Sequence, residues 1–122
     1  MRPQIRLDRE TLRSNARAWQ ARAGTGLRIV IKSQGYGWGF TTLVDALDDI
    51  VTGYYVSDED EFDKVRRITK RPLITLVDVR PEAIPRILES GGIPTVSSAA
   101  GFDAAEQRAR ARTKRARASC PY

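Results

Sequence analysis

The chain contains no histidine. Chemistry that depends on an imidazole, whether as general base, proton relay or metal ligand, therefore has no side chain to use within these 122 residues. Cysteine is nearly absent as well. The one thiol, Cys120, lies close to the end of the sequence and can build neither a disulfide framework nor a zinc site, so no metal is expected. Long apolar runs are also missing. Nothing approaches the roughly 20 consecutive apolar residues of a membrane-spanning helix, and the opening MRPQIRLDRE lacks the apolar centre of a signal peptide. The expectation is a cytoplasmic protein with no membrane contact.

What remains is a chain 41% hydrophobic and 30% charged, a balance that fits one modest globular domain. At this length folding buries roughly two-thirds of the surface that the unfolded chain exposes. The net charge of +6 is concentrated in RARARTKRAR, residues 108–117, where Arg108, Arg110, Arg112, Lys114, Arg115 and Arg117 are accompanied by no acid. The rest carries fifteen basic and fifteen acidic side chains and is neutral. A basic tail can attract phosphate backbones by counterion release. At ~100° per residue, however, these six charges go all round a helix and leave no apolar stripe to dock. Stacking and base readout also call for aromatics near the charges, and only Tyr122 is there. A solvated tail is favoured, and nucleic acid is not the expected partner.

Apolar runs alternate with amphipathic stretches at a nearly regular interval. RIVI (28–31), GYYVS (53–57), PLITLV (72–77) and IPTVS (93–97) are short, rich in β-branched or aromatic residues, and bounded by Gly, Pro, Asp or Ser. Each reads as a buried strand. About twenty residues separate one from the next, enough for a crossover helix in every gap. Leu43, Ala46, Leu47 and Ile50 follow helical spacing, with Thr42 and Asp45 as a capping pair. Asp58 and Glu61 make a similar pattern ahead of Phe62, Val65 and Ile68. Pro81 and Pro85 limit the third helix to a short one centred on Ile84, Ile87 and Leu88, ended by Gly91 and Gly92. A further helix precedes the first strand: Asp8 is its N-cap, Leu12, Ala16, Trp19 and Ala23 lie on one side, and Gly24 stops it. The rhythm predicts an α/β fold, either part of an eight-stranded TIM-type barrel, about four parallel βα units preceded by a helix, or an incomplete doubly wound sheet.

In both architectures ligands bind at the carboxyl ends of the strands. Lys32 follows RIVI immediately; the other strand ends offer Ser57, Asp58, Asp78, Ser97 and Ser98. A lysine there acts chiefly as an amine nucleophile toward a carbonyl, helped by partial desolvation. The glycines at 35, 37 and 39 let the backbone turn sharply and approach a flat ring or a phosphate, and the Tyr36 phenol is a donor for that phosphate. On spacing alone, a solvated lysine in an ordinary glycine-rich loop is the favoured reading.

VIKSQGYGWG resembles the pyridoxal-phosphate lysine motif of the alanine racemase family, commonly Val-Val-Lys-Ala-Asn-Ala-Tyr-Gly-His-Gly; Val30, Lys32, Tyr36, Gly37 and Gly39 match. IRLDRETLRSN is similar to that family's Ile-Asp-Leu…Leu-Arg-His-Asn stretch, with Asn15 in the place of that Asn. GYYVSDEDEFDKVR resembles the second strand and helix, which puts Glu61 and Arg66 on family positions. PLITL and IPTVSS fall where the third and fourth strands would. The likeness runs over about residues 4–107. Ser33, Gln34, Gly35 and Trp38 depart from the common motif without removing the lysine or the tyrosine.

The resemblance implies a pyridoxal-phosphate-dependent isomerase acting on a small amino acid such as alanine. By it, Lys32 is the Schiff-base lysine and one of two acid/base groups, and Tyr36 binds the cofactor phosphate. A complete (β/α)8 barrel takes about 250 residues, with a phosphate site usually built after strands seven and eight. The expectation is therefore an N-terminal half-barrel over 1–107, with little turnover by itself. Residues 108–122 then read as a basic tail, disordered or the product of truncation or a frameshift. Its open edges at strands one and four favour a second copy, as a homodimer, or a complementary barrel fragment as partner. A cofactor-binding protein without turnover is the other reading.

Overall fold

The computed structural model describes residues 1–119; Cys120 and Tyr122 lie outside the described residues. The order is α1 (Arg9–Ala23), β1 (Arg28–Val30), a short turn α2 (Lys32–Tyr36), α3 (Phe40–Leu47), β2 (Gly53–Val56), α4 (Glu59–Arg66), β3 (Leu73–Asp78), a 3-10 turn (Pro81–Ala83), α5 (Ile84–Glu89), β4 (Ile93–Thr95) and α6 (Ala99–Ser119). The four strands are parallel and stand in the order β1-β2-β3-β4.

Burial separates the two faces of this sheet. Ile31, Tyr54, Val56, Leu73 and Thr75 are fully buried, and the apolar ones join one core with Phe40, Leu43, Leu47, Phe62, Val65, Ile84 and Ile87 from the helices. Side chains alternate along a strand, so the register Val30–Tyr55–Ile74–Ile93 lies on the opposite face. There Val30 is 40% exposed and Ile93 45% exposed. Strands in consecutive order with helices over a single face are the barrel arrangement; a doubly wound sheet covers both faces and reverses its strand order. The four βα units read from the sequence are thus found in the barrel-type variant.

Local chemistry explains most element ends. Asp8 caps α1 through Thr11 N at 2.9 Å, and Gly24 ends it in the left-handed region at φ 66. Trp19, expected on the packed side of α1, is exposed, because β1 is an edge strand with no neighbour beyond it. Thr42 and Asp45 do not cap α3. That helix starts earlier, directly behind Gly39 (φ 89), and Asp45 instead pairs with Arg9 at 3.1 Å. Beneath the strands, Arg66 ties the end of α4 to Arg71 O at 2.7 Å and Ser90 O at 3.2 Å. Tyr54 donates to Asp48 Oδ1 at 3.0 Å, and burial, then the neighbouring carboxylate, pushes its phenol well above the usual range.

The basic stretch differs from the tail expected of it. One helix, α6, runs across position 107 through Ser119, and Arg108 reaches Glu89 at 3.0 Å while Arg110 pairs with Glu106 at 2.7 Å. Ala104 and Ala105 pack on the core at the start of this helix, which gives the following residues a helical template.

Arg13 holds α1 to α3, donating to Ala46 O at 2.7 Å and to both oxygens of Asp49 at 2.6 and 2.8 Å. The hydrogen-bonded guanidinium keeps the Asp49 carboxyl down at about 2, against 3.8 ordinarily. A depressed folded-state value means stability present above the ordinary carboxylate range and lost as pH falls through it toward about 2. Asp49→Asn is therefore expected to lower the thermal midpoint near neutral pH, and the difference from wild type should shrink steadily as pH is taken down toward 2. A gap that does not change with pH would show that the pair carries none of the stability.

Candidate functional site

The β1–β2 ladder runs one residue past Val30, with Ile31 N donating to Tyr55 O at 2.9 Å. Ile31 is fully buried on the helix side. Alternation then puts Lys32, half-buried, on the open face with Val30, at the carboxyl end of its strand. Among the described residues, neither the Lys32 amine nor the Tyr36 phenol forms a side-chain hydrogen bond.

Lys32 opens a turn of unusual hand. Ser33, Gln34, Gly35 and Tyr36 all have positive φ, between 55 and 63. For L-residues other than glycine this region costs about 1–2 kcal/mol each, so three of the four need support from their surroundings. Backbone bonds supply part of it: Gly35 N donates to Ile31 O at 2.7 Å, Gly37 N to Ser33 O at 3.2 Å and Gly39 N to Gln34 O at 2.6 Å. Gly35 supplies another part, since it is buried against α3, where a Cβ would stand 2.2 Å from Leu43 Cδ1. The turn carries Tyr36 and Trp38 to the rim, 63% and 41% exposed. Concentrated backbone strain of this kind is typical of ligand clamps and active sites.

The remaining strand-end residues have other work. Asp58 caps α4 through Glu61 N at 2.9 Å, Asp78 accepts from Ser97 N at 2.8 Å, and Ser98 Oγ accepts from Gly101 N at 3.1 Å. Among the described residues, the side-chain polar atoms of Lys32, Tyr36, Ser57 and Ser97 form no such bond, since Ser57 and Ser97 take part through their backbone amides. One residue escaped notice as part of this region. The Glu61 carboxylate accepts from Ser33 N at 2.7 Å with one oxygen and from Ser57 N at 2.8 Å with the other. Its Asp-x-x-Glu spacing suggested a capping box, in which the Glu would return to the cap residue's own N–H. The half of the box made by Asp58 forms, while Glu61 reaches across to β1.

A sequence model described as alanine racemase, N-terminal domain, matches residues 7–119. The chain belongs to this family. Alanine racemases of known structure share its fold. That of Acinetobacter baumannii superposes with a TM-score of 0.77 at 18% identity, over 88% of this chain and 31% of that one. That of E. faecalis gives 0.73 at 26% identity, over 84% and 29%. The Bacillus anthracis racemase, solved with bound L-Ala-P, gives 0.71 at 23% identity, over 88% and 30%. The chain thus spans about three-tenths of the length of these racemases. Curated protein sequences yield no match. Membership of the family agrees with the motif at Lys32, and the shared fold agrees with the barrel-type strand order.

The glycine turn is directly testable. Gly35→Ala is expected to cost about 2–5 kcal/mol, from the left-handed backbone together with the clash on Leu43. Gly37→Ala, at φ 95 with open space around a Cβ, should cost about 1–2 kcal/mol from the backbone alone. Urea unfolding of the two variants measures the difference; equal losses would show that the Leu43 contact is unimportant.

Proposed function

We propose that this chain is the cofactor-lysine portion of a pyridoxal-phosphate-dependent amino-acid racemase, with alanine or a similarly small amino acid as substrate. The observation that carries the reading is the position of Lys32. It is a primary amine at the carboxyl end of β1, on the open face, within the residues matched by the alanine racemase N-terminal domain.

The side chains present suit the cofactor. Lys32 offers an amine without a hydrogen-bond partner among the described residues, the group needed for covalent attachment to an aldehyde. Tyr36 offers an exposed phenol on the same turn for the phosphate. When bound, pyridoxal phosphate supplies an electron sink for the negative charge left at the substrate's α-carbon. Lys32 Nζ would be the base that takes the substrate's α-proton on its side or returns it. Its partly buried root limits the positions the amine can reach, and orientation of this kind contributes to rate independently of basicity. Tyr36 would hold the phosphate end of the cofactor. The second acid/base group, by the same reading, is provided from outside these residues. The sheet face that carries Val30 and Ile93, both exposed, is the side on which further strands of a barrel would enclose the site.

The test is to incubate the chain with pyridoxal phosphate, reduce with borohydride and locate the adduct by peptide mass. A dominant adduct at Lys32, rather than at Lys64, Lys70 or Lys114, is expected, and Lys32→Ala should lose it. Even labelling over the four lysines would mean that the turn does not form a cofactor site.

A further inference from the structure

We infer that Glu61 positions Lys32, by closing with one carboxylate the gap where β1 and β2 part. This rests on the reading of Lys32 as the cofactor lysine. Ile31 N donates to Tyr55 O across the two strands, so the next β1 amide to face β2 is that of Ser33. On the other strand Tyr54 N donates to Pro72 O, toward β3, so the amides of Tyr55 and Ser57 face β1. Ser33 N and Ser57 N are thus the first donors past the end of the ladder. The carbonyls that would have received them in a continued ladder are occupied: Ile31 O accepts from Gly35 N, and Ser57 O accepts from Leu76 N and Val77 N.

Both orphaned donors end on Glu61, one on each oxygen, at 2.7 and 2.8 Å. An ionised carboxylate is an acceptor only, and it matches two converging N–H groups in a way no neutral side chain does. Such charge-assisted bonds are roughly twice as strong as neutral ones. Glu61 is itself fixed, since its amide is held by Asp58 and its helix is anchored in the core by the next residue, Phe62, and by Val65. The backbone of Lys32 is therefore held on both sides, at Ile31 by the ladder and at Ser33 by the carboxylate. The left-handed turn begins at Ser33, which makes the Glu61 bond the point where the strained segment is tied to the rest of the fold. Glu61 touches no reacting atom in this account; it acts through the backbone next to the lysine.

Glu61→Gln provides the test, since glutamine keeps the size and one acceptor but turns an amide donor toward one of the two N–H groups. The full chain and the variant are compared by two measurements. Borohydride trapping with pyridoxal phosphate gives the ratio of adduct at Lys32 to adduct at Lys64, and amide hydrogen exchange is followed at Ser33 and Ser57. In the wild type both amides should be protected. In the variant they should exchange at least ten times faster, and the Lys32-to-Lys64 ratio should fall about tenfold, while amides of β3 keep their protection. A merely structural loss would accelerate exchange throughout the core and leave no such local pattern. An unchanged ratio in a folded variant would overturn the inference, and so would rapid exchange of both amides in the wild type, whether or not the variant folds. If Glu61→Gln does not fold, Glu61→Asp keeps the charge but is one methylene short, and it should show the same fall in the ratio. A wild type that takes no adduct at Lys32 would refute the cofactor reading instead, and the exchange data would then judge the clamp alone.

Discussion

The alternation of side chains along four parallel strands, combined with helices on a single face, is the constraint from which the rest follows. Once Ile31, Tyr54, Val56 and Leu73 are buried beneath α3, α4 and α5, every second residue is committed to the other side. Val30, Tyr55, Ile74 and Ile93 line up there by register, and Lys32 continues the same row at the end of β1. A slip of one residue in β1 would send the lysine into the apolar core and Ile31 onto the open face. The hydrophobic effect on one face thereby decides where the amine on the other face can be.

Position along the strand is a separate matter, and the left-handed turn decides it. A regular continuation of β1 would carry Lys32 onward in extended form, pairing with β2. The chain instead reverses at Ser33, at the expense of three non-glycine residues in an unfavourable backbone region. Gly35 against Leu43 and Glu61 against Ser33 offset that cost from two sides. Such strain persists only where neighbours over-determine it, and here the neighbours are the helices after β1 and after β2. The turn at the lysine is consequently a product of two βα units packed together.

Much of this was legible from local pattern. Short β-branched runs at regular spacing mark the strands, Asp8 and Gly24 bracket α1, and the pair of prolines shortens α5 as expected. These features have their causes within a few residues of themselves. Glu61 does not. Its partners include an amide 28 positions earlier in the chain, and the same Asp-x-x-Glu spacing satisfies a local capping rule equally well. Only the pairing of β1 with β2 brings Ser33 and Ser57 close enough to share a carboxylate. The start of α3 and the run of α6 through the basic stretch were missed for a related reason: a glycine turn and an anchored first turn override what propensity and charge suggest about Thr42 or Arg108.

The same geometry bears on what covers the open face. An eight-stranded barrel has eight intervals between neighbouring strands, each covered on the outside by one helix. The four strands described here already carry five outer helices, because α1 precedes β1 and α6 follows β4. Where β4 of one copy met β1 of another, α6 and the other copy's α1 would compete for one interval, and this would happen at both junctions. A complement of four strands joined by three helices meets no such conflict, since five and three fill the eight intervals. Steric accounting of the helices thus weighs against closure of the face beside Lys32 by a second copy of these same four strands.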